Sequence, residues 1–172
     1  MENSEFNETN LITENPTISM FNPMPLSPLQ LVACENFQHL FTGQTYGLGT
    51  FVFGNNNLRY TIAYSGGARI STHDPAAPGV HLLEGVEDGA ILIEFTQPMT
   101  TDMFELELVQ AGEPICIRYF SGYGANLLGT TYTSAYNQVQ KVTLKGAQLT
   151  TILISGPEAL LKSVCYGLTV QP

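Results

Sequence analysis

Strict in-and-out alternation along residues 90–168 limits what this chain can fold into more than any other feature. Ala90–Thr96 reads AILIEFT, so Ile91, Ile93 and Phe95 face one way and Leu92 and Glu94 the other. A period of two is the mark of a strand with one buried face. Met103–Gln110 repeats it, with Phe104, Leu106 and Leu108 on one side and Glu105 and Glu107 on the other. Two glutamates on one face belong in water, so one side of that sheet is solvated. Ile115–Ser121 places Ile115, Ile117 and Tyr119 opposite Arg118. Leu127–Ser134, Gln138–Leu144, Gln148–Ser155 and Leu160–Leu168 continue the series. Gly122-Tyr123-Gly124, Tyr136-Asn137, Gly146 and Gly156-Pro157 divide them. Short β-prone segments at this spacing, with turn residues between, predict a sandwich or barrel.

The upstream half carries the same signals. Strands are expected at Gln30–Cys34, Thr50–Phe53, Leu58–Tyr64, Ala68–Thr72 and Val80–Leu83, with a turn or a single helical turn through Glu35–Phe41. Gly54-Asn55-Asn56-Asn57 is a turn because Gly and Asn tolerate positive φ. Glu84–Gly89 reads as an acidic loop. Residues 1–15 hold four glutamates and no base, and four prolines stand between Pro16 and Pro28. That composition favours an extended segment over a packed one. The expected organisation is therefore an acidic, Pro-rich arm over residues 1–28 and a β-sandwich over residues 29–172. The fold class expected is all-β, a two-sheet antiparallel sandwich of jelly-roll type.

Charge narrows the partners. Only six residues are Lys or Arg, and the net charge is −9 over 172 residues. Such a chain offers no basic footprint for nucleic acid or for an anionic membrane. No run is long and apolar enough for membrane insertion. The N-terminus lacks the basic start and apolar core of a secretory signal, which predicts a cytoplasmic protein or a mature processed form. Cys34, Cys116 and Cys165 are odd in number and widely spaced. They read as small buried hydrophobes in a reducing compartment, not as a disulfide framework or zinc site.

Several constellations carry chemistry. Asp74, Glu87 and Asp88 flank the Val80–Leu83 strand, and carboxylates on neighbouring loops supply the oxygens calcium takes. The competing reading is a pair of solvated acidic turns. Calcium is the one cofactor these residues would hold. No Gly-x-Ser-x-Gly is present for an acyl-transfer nucleophile. Glu105 and Glu107 share a strand face at a separation that loosely suits a glycosidase pair, and equally suits a wet surface. Tyrosines are plentiful and Trp is absent. Tyr123 and Tyr136 lie in or beside turns with Asn126 and Asn137. Together these four are the expected ligand-binding residues, rings for stacking and amides for hydrogen bonds.

Phe95-Thr96-Gln97-Pro98, the run Tyr123–Thr130 (YGANLLGT), Ile152–Gly156 (ILISG) and Val164–Gly167 (VCYG) also carry a resemblance. They resemble bacterial jelly-roll domains related to carbohydrate-binding modules and to the sandwich domains of exported proteins with a PEP-CTERM sorting tail. The resemblance covers about the last two-thirds of the chain. It implies a non-catalytic binding module with a glycan-like ligand. It also implies a structural ion between an acidic residue near the first strand, matched by Glu35, and an aspartate in the last strand. Lys162 stands in that last strand here, so its ammonium is expected to replace the ion and pair with Glu35. Two further readings of the chain are a structural protein that forms homo-oligomers through its arm, and a small enzyme with an acidic residue in a concave pocket.

Overall fold

The computed structural model describes residues 30–63, 66–72, 82–86 and 89–168. Twelve strands follow one another: β1 (Gln30–Glu35), β2 (Thr45–Gly47), β3 (Phe51–Phe53), β4 (Leu58–Ala63), β5 (Gly67–Ser71), β6 (Leu82–Val86), β7 (Ala90–Phe95), β8 (Thr101–Gln110), β9 (Cys116–Ser121), β10 (Asn126–Tyr132), β11 (Val139–Ser155) and β12 (Ala159–Leu168). All the named pairings are antiparallel. The arm over residues 1–28 lies outside the described residues. Among those that are described, no helix is long and apolar enough to cross a membrane.

The two layers of the jelly-roll sandwich meet in β11. Its first half, Val139–Lys145, pairs with β8; its second half, through Ser155, pairs with β7 on one side and β9 on the other. One layer therefore runs β2-β5-β6-β12-β8-β11, with β1 alongside the end of β12. The other runs β3-β4-β7-β11-β9-β10. The sequence breaks at Gly146 were expected to separate two strands. Instead the strand continues, and the register shifts between Lys145 and Leu149, where Gln148 takes φ +56°. A bulge of this kind turns a strand without ending it, which is how one strand enters both layers.

Between the layers the alternating residues meet as their pattern requires. Ile91, Ile93, Ile117, Ile152 and Ile154 come from one layer and Leu106, Leu108, Leu161 and Val164 from the other, all buried. Phe95, Phe104 and Tyr166 form an aromatic group across the gap, with centroids 5.1–6.3 Å apart. Gly129 makes room for a further ring. A Cβ there would lie 2.3 Å from the Tyr119 hydroxyl and 2.4 Å from its ring carbon. Gly129→Ala must displace a half-buried tyrosine, and overpacking of this type costs about 1–3 kcal/mol. Chemical denaturation should show the loss. An unchanged midpoint would mean that the ring swings aside freely.

Three expectations are corrected. Cys34 and Cys165 stand directly opposite each other on β1 and β12 and form a disulfide, leaving Cys116 as the free cysteine. They are neither isolated hydrophobes nor a sign of a reducing compartment. Lys162 does not meet Glu35: its ammonium lies 2.7 Å from Glu107 on the outer face of the first layer. Glu84, expected in a loop, is in β6 and forms a two-pronged pair with Arg69 of β5, with both contacts at 2.7 Å. The short β2 was not anticipated, and β1 reaches Glu35.

Glu105 and Glu107 do face outward, and each holds a lysine from a neighbouring strand, Lys141 at 2.8 Å and Lys162 at 2.7 Å. The Lys162 hydrogen bond holds the Glu107 carboxyl below its ordinary 4.5, with help from Ser163. A depressed carboxylate stabilises the fold above its unfolded pKa, and that contribution disappears as pH falls through the folded value. Lys162→Met should therefore be less stable than wild type at pH 7, by less than about 1 kcal/mol for a half-exposed pair. Thermal melts of the two should converge as pH falls through the depressed Glu107 value; a difference constant with pH would assign the effect to packing.

Candidate functional site

The outer face of the second layer carries the most unusual surface. β3 reads Phe-Val-Phe. Val52 enters the core, which forces Phe51 and Phe53 outward, where they are 48% and 60% exposed. Large apolar groups at outward positions are what a solvated sheet avoids. Strand register extends this face in two rows. One passes Phe53, Arg59, Glu94, Thr151, Phe120 and Leu127. The other passes Phe51, Thr61, Leu92, Leu153, Arg118 and Thr130. Beyond them Tyr132 stands opposite Cys116, 60% exposed. At about 4.8 Å per strand, the Phe51–Phe53 margin and the Arg118–Phe120 margin are about 19 Å apart.

The floor between the margins mixes Arg59, Thr61, Glu94 and Thr151 with Leu92 and Leu153. Arg59 bonds Glu94 at 2.8 Å, and its guanidinium carbon lies 4.9 Å from the centre of the Phe51 ring. That cation–π contact fixes the ring at one edge. Arg59 Nε and Thr61 Oγ1 are buried and have no hydrogen-bond partner. A buried donor without a partner is costly, and both atoms belong to this face. Arg118 is exposed at the far margin, between Leu153 and Thr130 in its row. Chemically, the face offers rings at two margins and donors between them, all on strands.

None of the described residues singled out in the sequence lies within these rows. Tyr123 occupies the β9–β10 turn at φ +55°; its hydroxyl accepts from the Met99 N–H and its own N–H donates to Thr150. Asn126 opens β10 beside it. Tyr136 and Asn137 lie in the β10–β11 connection, where the Asn137 N–H donates to the Gln110 carbonyl. The β9–β10 hairpin thus separates the two pairs, one at each end, so the four do not form one cluster. Asp74, Glu87 and Asp88 fall outside the described residues, and among those described no three His, Cys, Asp or Glu side chains converge. A shallow depression at β5, lined by Thr42, Gly43, Arg69, Ile70 and Ser71, holds no carboxylate.

Phe51, Phe53, Phe120 and Arg118 do not stand out in the sequence, because only the register of several strands places them on one face. A signal is present: in Phe51-Val52-Phe53 both alternating positions are apolar, so one set must be exposed unless the strand is buried on both faces.

Glu35, matched to an ion ligand by resemblance, has another task. It is 2% exposed, and its Oε1 accepts from the Asn36 and Phe37 N–H groups at 2.9 and 2.6 Å. Its Oε2 accepts from the Asn55 N–H. His39 places Nδ1 3.3 Å from the same carboxylate and Nε2 3.1 Å from the Phe53 carbonyl. The carboxylate thereby ties the end of β1 to the β3–β4 turn, which carries the aromatic margin.

No family model and no curated protein matches the sequence. Several solved structures are similar. A point mutant of the family 29 carbohydrate-binding module CBM29-2 is 12% identical, with a TM-score of 0.48 over 73% of this chain and 91% of that one. TmCBM61, solved with β-1,4-galactotriose, is 11% identical, with a TM-score of 0.39 over 65% and 84%. The xylan-binding module CBM86 from Roseburia intestinalis is 11% identical, with a TM-score of 0.40 over 73% and 95%.

Proposed function

We propose that this chain is a non-catalytic glycan-binding module, and that the ligand lies across the outer face of the second layer. The carrying observation is the pair of outward-facing aromatic margins on strands, exposed Phe51 with Phe53 and half-buried Phe120 with exposed Tyr132, with the polar side chains of Arg59, Thr61 and Glu94 between them. Sugar rings present C–H faces to aromatic rings and hydroxyls to polar groups, so a site for them needs both kinds of residue. The span of about 19 Å between margins suits several consecutive residues of a chain, not a single sugar. Tyr123 with Asn126, and Tyr136 with Asn137, are proposed as secondary contacts at its two ends. The disulfide supports work in an oxidising compartment.

Affinity electrophoresis against a panel of soluble plant, algal and bacterial polysaccharides tests this. Phe53→Ala and Phe120→Ala should each weaken binding about tenfold, the loss of one stacked ring, with unchanged melting temperature. Retardation by none of the polysaccharides, or full retention in both variants, would reject the reading.

A further inference from the structure

We infer that the glycan is acidic, with a uronate carboxylate seated on Arg118. This rests on the glycan-binding reading above and adds the chemical class of ligand. The charges on the proposed face run against those of the chain. The whole molecule carries −9, yet the charged residues in the two rows are Arg59, Arg118 and Glu94. Arg59 is neutralised by Glu94 at 2.8 Å. Among the described residues Arg118 has no acid beside it: its neighbours across the strands are Leu153 and Thr130, and it takes part in none of the ion pairs.

This separates Arg118 from the other strand bases except Lys145, which stands in the half of β11 that pairs with β8 in the other layer. Arg69, Lys141 and Lys162 each hold a glutamate, and all of them face outward from the other layer. An unpaired guanidinium between Phe120 and a threonine-bearing strand presents a planar fork of donors to a ligand stacked on that ring. Guanidinium forks match carboxylates in two parallel hydrogen bonds. A neutral sugar would use Arg118 only as a hydroxyl partner. A uronic acid would supply the missing charge at the position next to a stacking ring.

Carboxyl-reduced polymers isolate the carboxylate, because backbone and linkage stay the same. Polygalacturonate, alginate and glucuronoxylan would each be compared with its own reduced form by calorimetry on the full chain. At least one acidic polymer should bind about tenfold more tightly than its reduced form. That preference should shrink as salt rises from about 50 to about 500 mM. Arg118→Gln should equalise the pair, while Lys145→Gln, on the opposite layer, should leave the preference intact. If every reduced form binds as well as its acid, or if Arg118→Gln keeps the preference, the acidic class is wrong and glycan binding stands. If no polymer binds in either form, both readings fall.

Discussion

Cys34→Ser is expected to destabilise the protein by about 2–5 kcal/mol, the largest single effect of any substitution outside the core. The two cysteines are 131 residues apart in sequence, so the bridge closes nearly the whole sandwich into one loop. Without it, the unfolded chain regains the freedom that so long a closure removes. In a domain of this size the melting temperature should fall by about 6–15 °C. Dithiothreitol should reproduce the fall in the wild type and leave Cys34→Ser unaffected. Alkylation under denaturing, non-reducing conditions should label Cys116 alone. Equal melting with and without reductant would show that the bridge adds nothing to stability.

Second in size is Glu35→Ala, expected to cost about 3 kcal/mol. The carboxylate satisfies the N–H groups of Asn36, Phe37 and Asn55, and each donor left unmade in a buried site costs about 1–3 kcal/mol, less where water can enter. Backbone geometry adds to the dependence. Phe37 is fully buried with φ +59° and packs edge-on to Tyr60 at 5.1 Å. A large side chain adopts that conformation only when its surroundings hold it there. Glu35→Gln keeps one acceptor oxygen and should lose about half as much. Urea denaturation of the pair is the measurement. Equal losses for Ala and Gln would mean that charge alone matters; no loss in either would remove Glu35 from the architecture. Because the clamp also holds the β3–β4 turn, Glu35→Ala should weaken glycan binding through the Phe51–Phe53 margin.

The limits of the sequence reading follow from what each feature depends on. Alternation is local, so Ile91, Ile93, Phe104, Leu106 and Ile117 could be assigned to the core from their own neighbours, and all are buried. The bridge depends on topology: Cys34 meets Cys165 only because the first and last strands pair, and nothing near either residue records that pairing. Gly146 reads as a break because glycine usually ends a strand, whereas here a bulge carries the strand through it. The proposed site has the same difficulty. Phe53, Arg59, Glu94 and Phe120 come from four strands, and they share a row only after the register of all four is fixed. Turn tyrosines such as Tyr123 are conspicuous in the sequence because turn chemistry is local. The hairpin then places that pair and Tyr136 with Asn137 at opposite ends.

Strand β11 has a mechanical consequence. A segment hydrogen-bonded into both layers cannot peel away with either one, so the sandwich has no seam along which it could part. Pulling on one wall loads the other through the backbone itself, and the ligand proposed for the outer wall would brace both.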